Sequence, residues 1–139
     1  KGDLLVVDRD TDSVKRYETP SGKLRAVYQH HKLKKPVHMV MRHPDDTILV
    51  GSREQNAIFV VDPATGEVES LVEPGAGGLE APAGMAMGPD GKLYVCSRMG
   101  KSILRFDPHT GAPDPRPFIS KLKDYPEFIS LVDRQGEGA

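Results

Sequence analysis

The sequence predicts an all-β fold built from repeated four-stranded units, and three observations carry that expectation. The first is a repeat. Residues 47–70 and 92–114 share one pattern, and residues 3–26 are a looser third copy. Leu49-Val50-Gly51-Ser52-Arg53 aligns with Tyr94-Val95-Cys96-Ser97-Arg98, and Ala57-Ile58-Phe59-Val60-Val61-Asp62-Pro63 aligns with Ser102-Ile103-Leu104-Arg105-Phe106-Asp107-Pro108. Val14, Ile58 and Ile103 are equivalent, at intervals of 44 and 45 residues. The second observation is that the apolar runs are short, rich in Val, Ile, Leu, Tyr and Phe, and bounded by turn residues, with no sustained helical period. The third is that 14 glycines and 12 prolines lie between those runs as punctuation. Short strands recurring at about 40–50 residues are the signature of a β-propeller blade.

Each unit can be read in order. In the blade at 36–72, strand A is expected over 37–42, B over 47–52, C over 56–61 and D over 67–72. Between C and D, Asp62-Pro63-Ala64-Thr65-Gly66 is a turn in which Pro presets φ and Gly accepts φ > 0. The blade at 82–119 repeats the plan, with A over 82–87, B over 92–97, C over 102–106 and an outer strand D over 116–119. Pro113, Pro115 and Pro117 suit only an outer strand, since they cannot donate to a ladder. The first unit, 2–28, supplies strands B, C and D without an inner strand A, and residues 126–132 read as an orphan inner strand without B, C or D.

The expected fold is therefore three four-stranded blades' worth of strands, half of a six-bladed ring, with both ends of the chain falling in the same A–B hairpin. Three blades at propeller curvature cannot close on themselves. Two completions are expected. Either two chains exchange strand A and close a two-fold symmetric ring, or the chain is half of a longer propeller. It begins at Lys1 rather than Met and reads as a processed or excised piece. Left alone, the edge at 2–8 would be an aggregation hazard.

A formal net charge of −1 creates no field that would draw the chain to nucleic acid or an anionic membrane, and no apolar run has the length of a membrane helix. The one cysteine, Cys96, lies in an apolar strand and is expected as a small core residue. A phosphate-cradling glycine loop before a helix, paired cysteines and a serine elbow are all lacking, so no cofactor is expected.

The segment Pro82-Ala83-Gly84-Met85-Ala86-Met87-Gly88-Pro89-Asp90-Gly91-Lys92-Leu93-Tyr94-Val95, followed by residues 102–111, resembles NHL-type six-bladed propellers, a wider group that includes the gluconolactonase-like calcium enzymes and the streptogramin lyases. The resemblance covers about 120 residues, and its motifs are strand and turn residues. It implies a ring with any ligand site around the central opening, on the face that carries the B–C and D–A loops. The function has to come from a site.

Arg9, Arg53 and Arg98 recur at the B–C corners of that face. Guanidinium groups converging on a rim suit carboxylate or phosphate, because each offers a planar fork of donors. The competing expectation is local pairing, of Arg9 with Asp10 or Asp12 and of Arg53 with Glu54. The loop 29–35 holds His30, His31 and Lys32 and is the one basic cluster. It is a further anion-binding candidate, although as a solvated loop without interleaved aromatic residues it serves nucleic acid poorly. Streptogramin-lyase-like propellers use channel histidines as acid or base, which would cast His38 with Glu127 as a catalytic pair. The inner strands carry few oxygen ligands, so no metal site is expected. Met39, Met41, Met85 and Met87 are expected to pack between blades. The leading reading is a binding module that contacts a small anionic ligand or a protein on the loop face. The alternative is a lyase- or hydrolase-type enzyme using His38 and Glu127.

Overall fold

A strand with apolar residues on both of its faces has to be covered on both, and the architecture follows from that requirement. The computed structural model describes residues 2–134. Among them ten strands form three antiparallel sheets. The first sheet is β1 (Leu4–Asp8), β2 (Ser13–Tyr17) and β3 (Leu24–Gln29). The second is β4 (Pro36–Arg42), β5 (Thr47–Ser52), β6 (Ala57–Val61) and β7 (Val68–Val72). The third is β8 (Pro82–Met87), β9 (Leu93–Ser97) and β10 (Ser102–Phe106). Within each sheet, strands neighbour one another in chain order, so every connection is a hairpin. The arrangement is that of a partial β-propeller.

The core lies between the sheets. Ile48 and Val50 pack with Val14, Tyr28 and Leu33 toward the first sheet, whereas Leu49 packs with Leu93, Val95, Leu104 and Phe106 toward the third. Successive side chains of β5 thus serve opposite interfaces, as the two-residue period of a strand requires, and every residue of β5 is buried. The methionines behave likewise: Met39 and Met41 pack against the first interface, Met85 and Met87 against the second. Cys96 is buried with Ala83 and Ile103 on the far face of the third sheet, and burial pushes its thiol up to about 11.

Two expectations need correction. The outer strand expected over 116–119 is reduced to isolated bridges, Phe106 to Pro113 and Ile103 to Ile119. The three prolines interrupt the ladder, leaving the N–H groups of Asp114 and Phe118 to bond the carbonyls of Arg105 and Ile103. Residues 126–132 form no strand, and among the described residues no strand pairs with this segment. The segment is nonetheless docked on β8. The Gly84 N–H donates to Glu127 O at 2.7 Å, and Ile129 packs against Ala83, Cys96 and Ile103. Glycine permits that approach, since a Cβ at position 84 would lie 2.7 Å from Glu127 O and 2.8 Å from Phe128 Cα.

Gly66 and Gly111 close equivalent C–D turns in the left-handed region, at φ 78 and 77. A Cβ on Gly66 meets open space, whereas one on Gly111 would lie 1.8 Å from Leu71 O across the interface. Gly66→Ala is expected to cost about 1–2 kcal/mol of conformational strain. Gly111→Ala is expected to cost roughly 3 kcal/mol or more, because the sheets must also separate. Chemical denaturation of the two variants checks the difference, and equal costs would contradict the interface geometry.

Candidate functional site at the loop face

The B–C corners are alike in backbone as well as sequence. The fourth residue of each, Asp12, Asn56 and Lys101, takes positive φ (52, 53 and 49). Asp and Asn tolerate that region better than other non-glycine residues, and here they use it. Asp12 Oδ1 accepts the Lys35 N–H at 2.8 Å, and Asn56 Oδ1 accepts the Ala81 N–H at 2.7 Å. These two corners thereby pin the residue that precedes the inner strand of the next sheet. Serines at the ends of the B strands hold the same loops: Ser52 Oγ donates to Lys34 O at 2.5 Å, and Ser97 Oγ accepts the Glu80 N–H at 2.9 Å. Lys101 cannot accept a bond. Its ammonium lies over the Tyr125 ring, 4.9 Å from the centroid, and its carbonyl takes the Leu122 N–H at 3.0 Å.

Two of the corner arginines meet at one carboxylate. Arg53 Nη2 donates to Glu127 Oε2 at 2.9 Å, and Arg98 Nε donates to Glu127 Oε1. Local pairing of Arg53 with Glu54 does not form. The Arg98 guanidinium also covers the Tyr125 ring at 4.9 Å. Hydrogen bonding from Arg98, reinforced by the charge of Arg53, holds the Glu127 carboxyl below its ordinary value against the opposing effect of burial. Arg53 Nε is enclosed and has no partner among the described residues.

His38 lies beside this clamp without joining it. Its ring meets Phe128 edge-on, with centroids 5.4 Å apart and planes at 79°. Burial first, and then the charge of Arg53, hold its imidazole below the ordinary value, with Glu127 acting in the other direction. Among the described residues no hydrogen bond joins His38 to Glu127, because two guanidinium groups take the carboxylate instead. A carboxylate held ionised in this way is a weak proton acceptor at neutral pH.

Arg9 is exposed and makes no ion pair among the described residues, neither with Asp10 nor with Asp12. The basic loop stands beside its corner, where Gln29 Nε2 donates to Thr11 O at 3.1 Å and Lys34 Nζ lies 3.8 Å from Asp12. His30 and His31 stack with centroids 4.2 Å apart, and the Lys32 N–H donates to His30 Nδ1 at 3.1 Å. Leu33, fully buried, anchors the loop in the first interface. The loop is therefore a fixed part of the face, with the Lys32 side chain exposed. No group of three or more His, Cys, Asp or Glu able to hold a metal ion occurs among the described residues.

Comparison with known proteins gives the fold its class. No protein-family model matches the chain, and no curated protein matches it. Solved structures do. The chain is similar to a catalytically inactive His-to-Ala variant of virginiamycin B lyase from Staphylococcus aureus with quinupristin, at 19% identity and a TM-score of 0.74 over 91% of this chain and 41% of that one. It is similar to a streptogramin B lyase structure at 22% identity and a TM-score of 0.71, over 88% of this chain and 39% of that one. It is also similar to the WD40 β-propeller domain of Doa1, at 17% identity and a TM-score of 0.64, over 81% of this chain and 35% of that one. These likenesses establish the propeller fold. The chain spans about two fifths of the lyases' length.

Two outcomes follow from this geometry. Asn56→Ala removes the acceptor for Ala81 and leaves alanine in the left-handed region, an expected loss of about 1–3 kcal/mol on denaturation. Asn56→Asp, which copies Asp12, should recover most of it. A carboxyl lowered on folding stabilises its state above its ordinary value of 4.5, and that contribution is lost as pH falls through the lowered value. Limited proteolysis of 120–134 should therefore accelerate below that range in the parent chain. Glu127→Gln should show high, pH-flat cleavage there, and matching profiles for the two proteins would contradict the clamp.

Proposed function

We propose that this chain is a β-propeller binding module whose loop face takes a small anionic ligand, a carboxylate or a phosphate, at Arg53 and Arg98. Arg9 and the loop carrying His30, His31 and Lys32 extend the positive rim. The ring is completed by a second copy or by the remainder of a longer propeller. One observation carries the reading: Glu127 sits between two guanidinium groups from adjacent sheets. It is the chain's own example of the group such a clamp recognises. A ligand from solution would compete with Glu127.

Calorimetric titration with inorganic phosphate and with citrate tests this. Glu127→Gln is expected to bind at least ~10-fold tighter than the parent chain, the worth of about 1.4 kcal/mol for a vacated charged site. Glu127→Gln combined with Arg53→Ala and Arg98→Ala should lose that binding. Retention of binding without the arginines would refute the reading.

A second reading, a lyase- or hydrolase-type enzyme, is favoured by one observation: the His38 ring stands beside the clamp against Phe128, with no hydrogen bond to Glu127, which leaves an imidazole to act as acid or base. Mass analysis of quinupristin incubated with the chain is its test. Turnover by the parent that disappears in His38→Ala would support it, and equal traces would reject it.

A further inference from the structure

Among the described residues no strand occupies the inner position of the first sheet. In the second sheet β4 lies inside β5 and stands between the two interfaces, with Met39 and Met41 facing the first sheet and Val40 facing the third. In the first sheet no strand among the described residues lies inside β1. A groove of about 950 Å³ opens there, with Leu5 on one wall, Met39, Val40 and Met41 on the other, and Arg16 and Arg25 at its end. Along β1, Leu4 and Val6 are exposed at 57% and 38%. The edge of β1 bears a full row of unpaired backbone groups, a template for another strand.

The chain also carries a strand-like segment with no hairpin. Residues 126–132 already occupy the inner position beyond β8, held by Gly84 and by Ile129. Their other side is largely open, with Phe128 79% and Val132 88% exposed and the Phe128 ring meeting only the edge of His38. We infer that residues 126–132 of a second copy fill the groove beside β1, and that two chains close a ring by exchanging this strand reciprocally. The inference rests on the half-ring reading above, and it shares Glu127 with the anion site, since that carboxylate lies within the exchanged segment.

The repeat supplies the register. Met39 pairs with Val50 and Met41 with Ile48, while Met85 pairs with Val95 and Met87 with Leu93. Carried to the first sheet, this pairs Ile129 with Val6 and Leu131 with Leu4 of the other copy. Alternation then settles the faces. Ile129 keeps its place on its own third sheet, as Met85 does on the second. Phe128, Ser130 and Val132 turn toward Met39 and Met41 of the second copy, as Val40 turns toward the third sheet. Asp133 arrives beside Asp3, which already holds Arg16 at 2.7 Å and lies 3.7 Å from Arg25, so the match is one of apolar shape and register and not of charge. A register shifted by one residue would exchange the two faces, taking Ile129 off Ala83, Cys96 and Ile103 of its own third sheet.

The test uses the full chain. Light scattering is expected to give twice the mass of one chain. With Cys96→Ala as background, Leu4→Cys with Leu131→Cys should form intermolecular disulfides on oxidation, because directly opposed residues lie within bridging distance. Leu4→Cys with Ser130→Cys should not. Circular dichroism confirms that each variant keeps its β spectrum. A single-chain mass with that spectrum intact would overturn the inference and assign the groove to a strand from outside these 139 residues. A twofold mass without the 4–131 bridge, or with the 4–130 bridge instead, would overturn the pairing. Failure of phosphate binding in a twofold, bridged species would leave the exchange standing and remove only the anion reading.

Discussion

Everything in this structure depends on sheets that must be buried on both faces. A strand such as β5 offers apolar side chains alternately to either side, so it cannot be satisfied by one partner sheet. Stacking is the solution, and the right-handed twist of each sheet turns the stack into an arc about an axis. The middle sheet obtains two neighbours from within the chain. The first and third obtain one each, and their outer faces carry Leu4, Val6, Phe118 and Ile119 in the open. The interaction that holds the arc together therefore leaves one unsatisfied face at each end of it.

The loop face is a by-product of the same stacking. Corners from successive sheets come together on one end, and the Asx side chains at Asp12 and Asn56 lock each corner to the next inner strand. Where the third corner has Lys101, that lock is replaced by cationic contacts with Tyr125 and by the Arg53–Glu127–Arg98 clamp. The segment that lacks a hairpin is therefore retained through charge. Those charges are the ones on which the proposed anion site rests.

The parts of the fold legible in the sequence were those written more than once. A 44- or 45-residue interval, with Pro before strand A and Gly after strand C, located ten strands and their order. The outer strand at 116–119 follows from the blade plan, but Pro113, Pro115 and Pro117 cannot donate to a ladder and reduce it to isolated bridges. At the site, the corner arginines were recognisable by recurrence, but their partner was not. Glu127 is 74 residues from Arg53 and 29 from Arg98, and local acids such as Glu54 were the nearer expectation. Tyr125 carried no signal, since it occurs once and has no counterpart in the other units. Asp12 and Asn56 did have one, equivalent positions held by two side chains able to accept a backbone bond, and it went unread.

The central claim, that adjacent residues of β5 belong to different interfaces, is open to a single measurement. In a methyl-resolved nuclear Overhauser spectrum, Val50 is expected to show cross-peaks to Val14 or Leu33 and none to Val95 or Leu104. Leu49 should show the reverse, to Leu93, Val95 or Leu104 and none to Val14. Cross-peaks from both residues to one and the same neighbouring sheet would mean that β5 is covered from a single side, and the stacked arc would be contradicted.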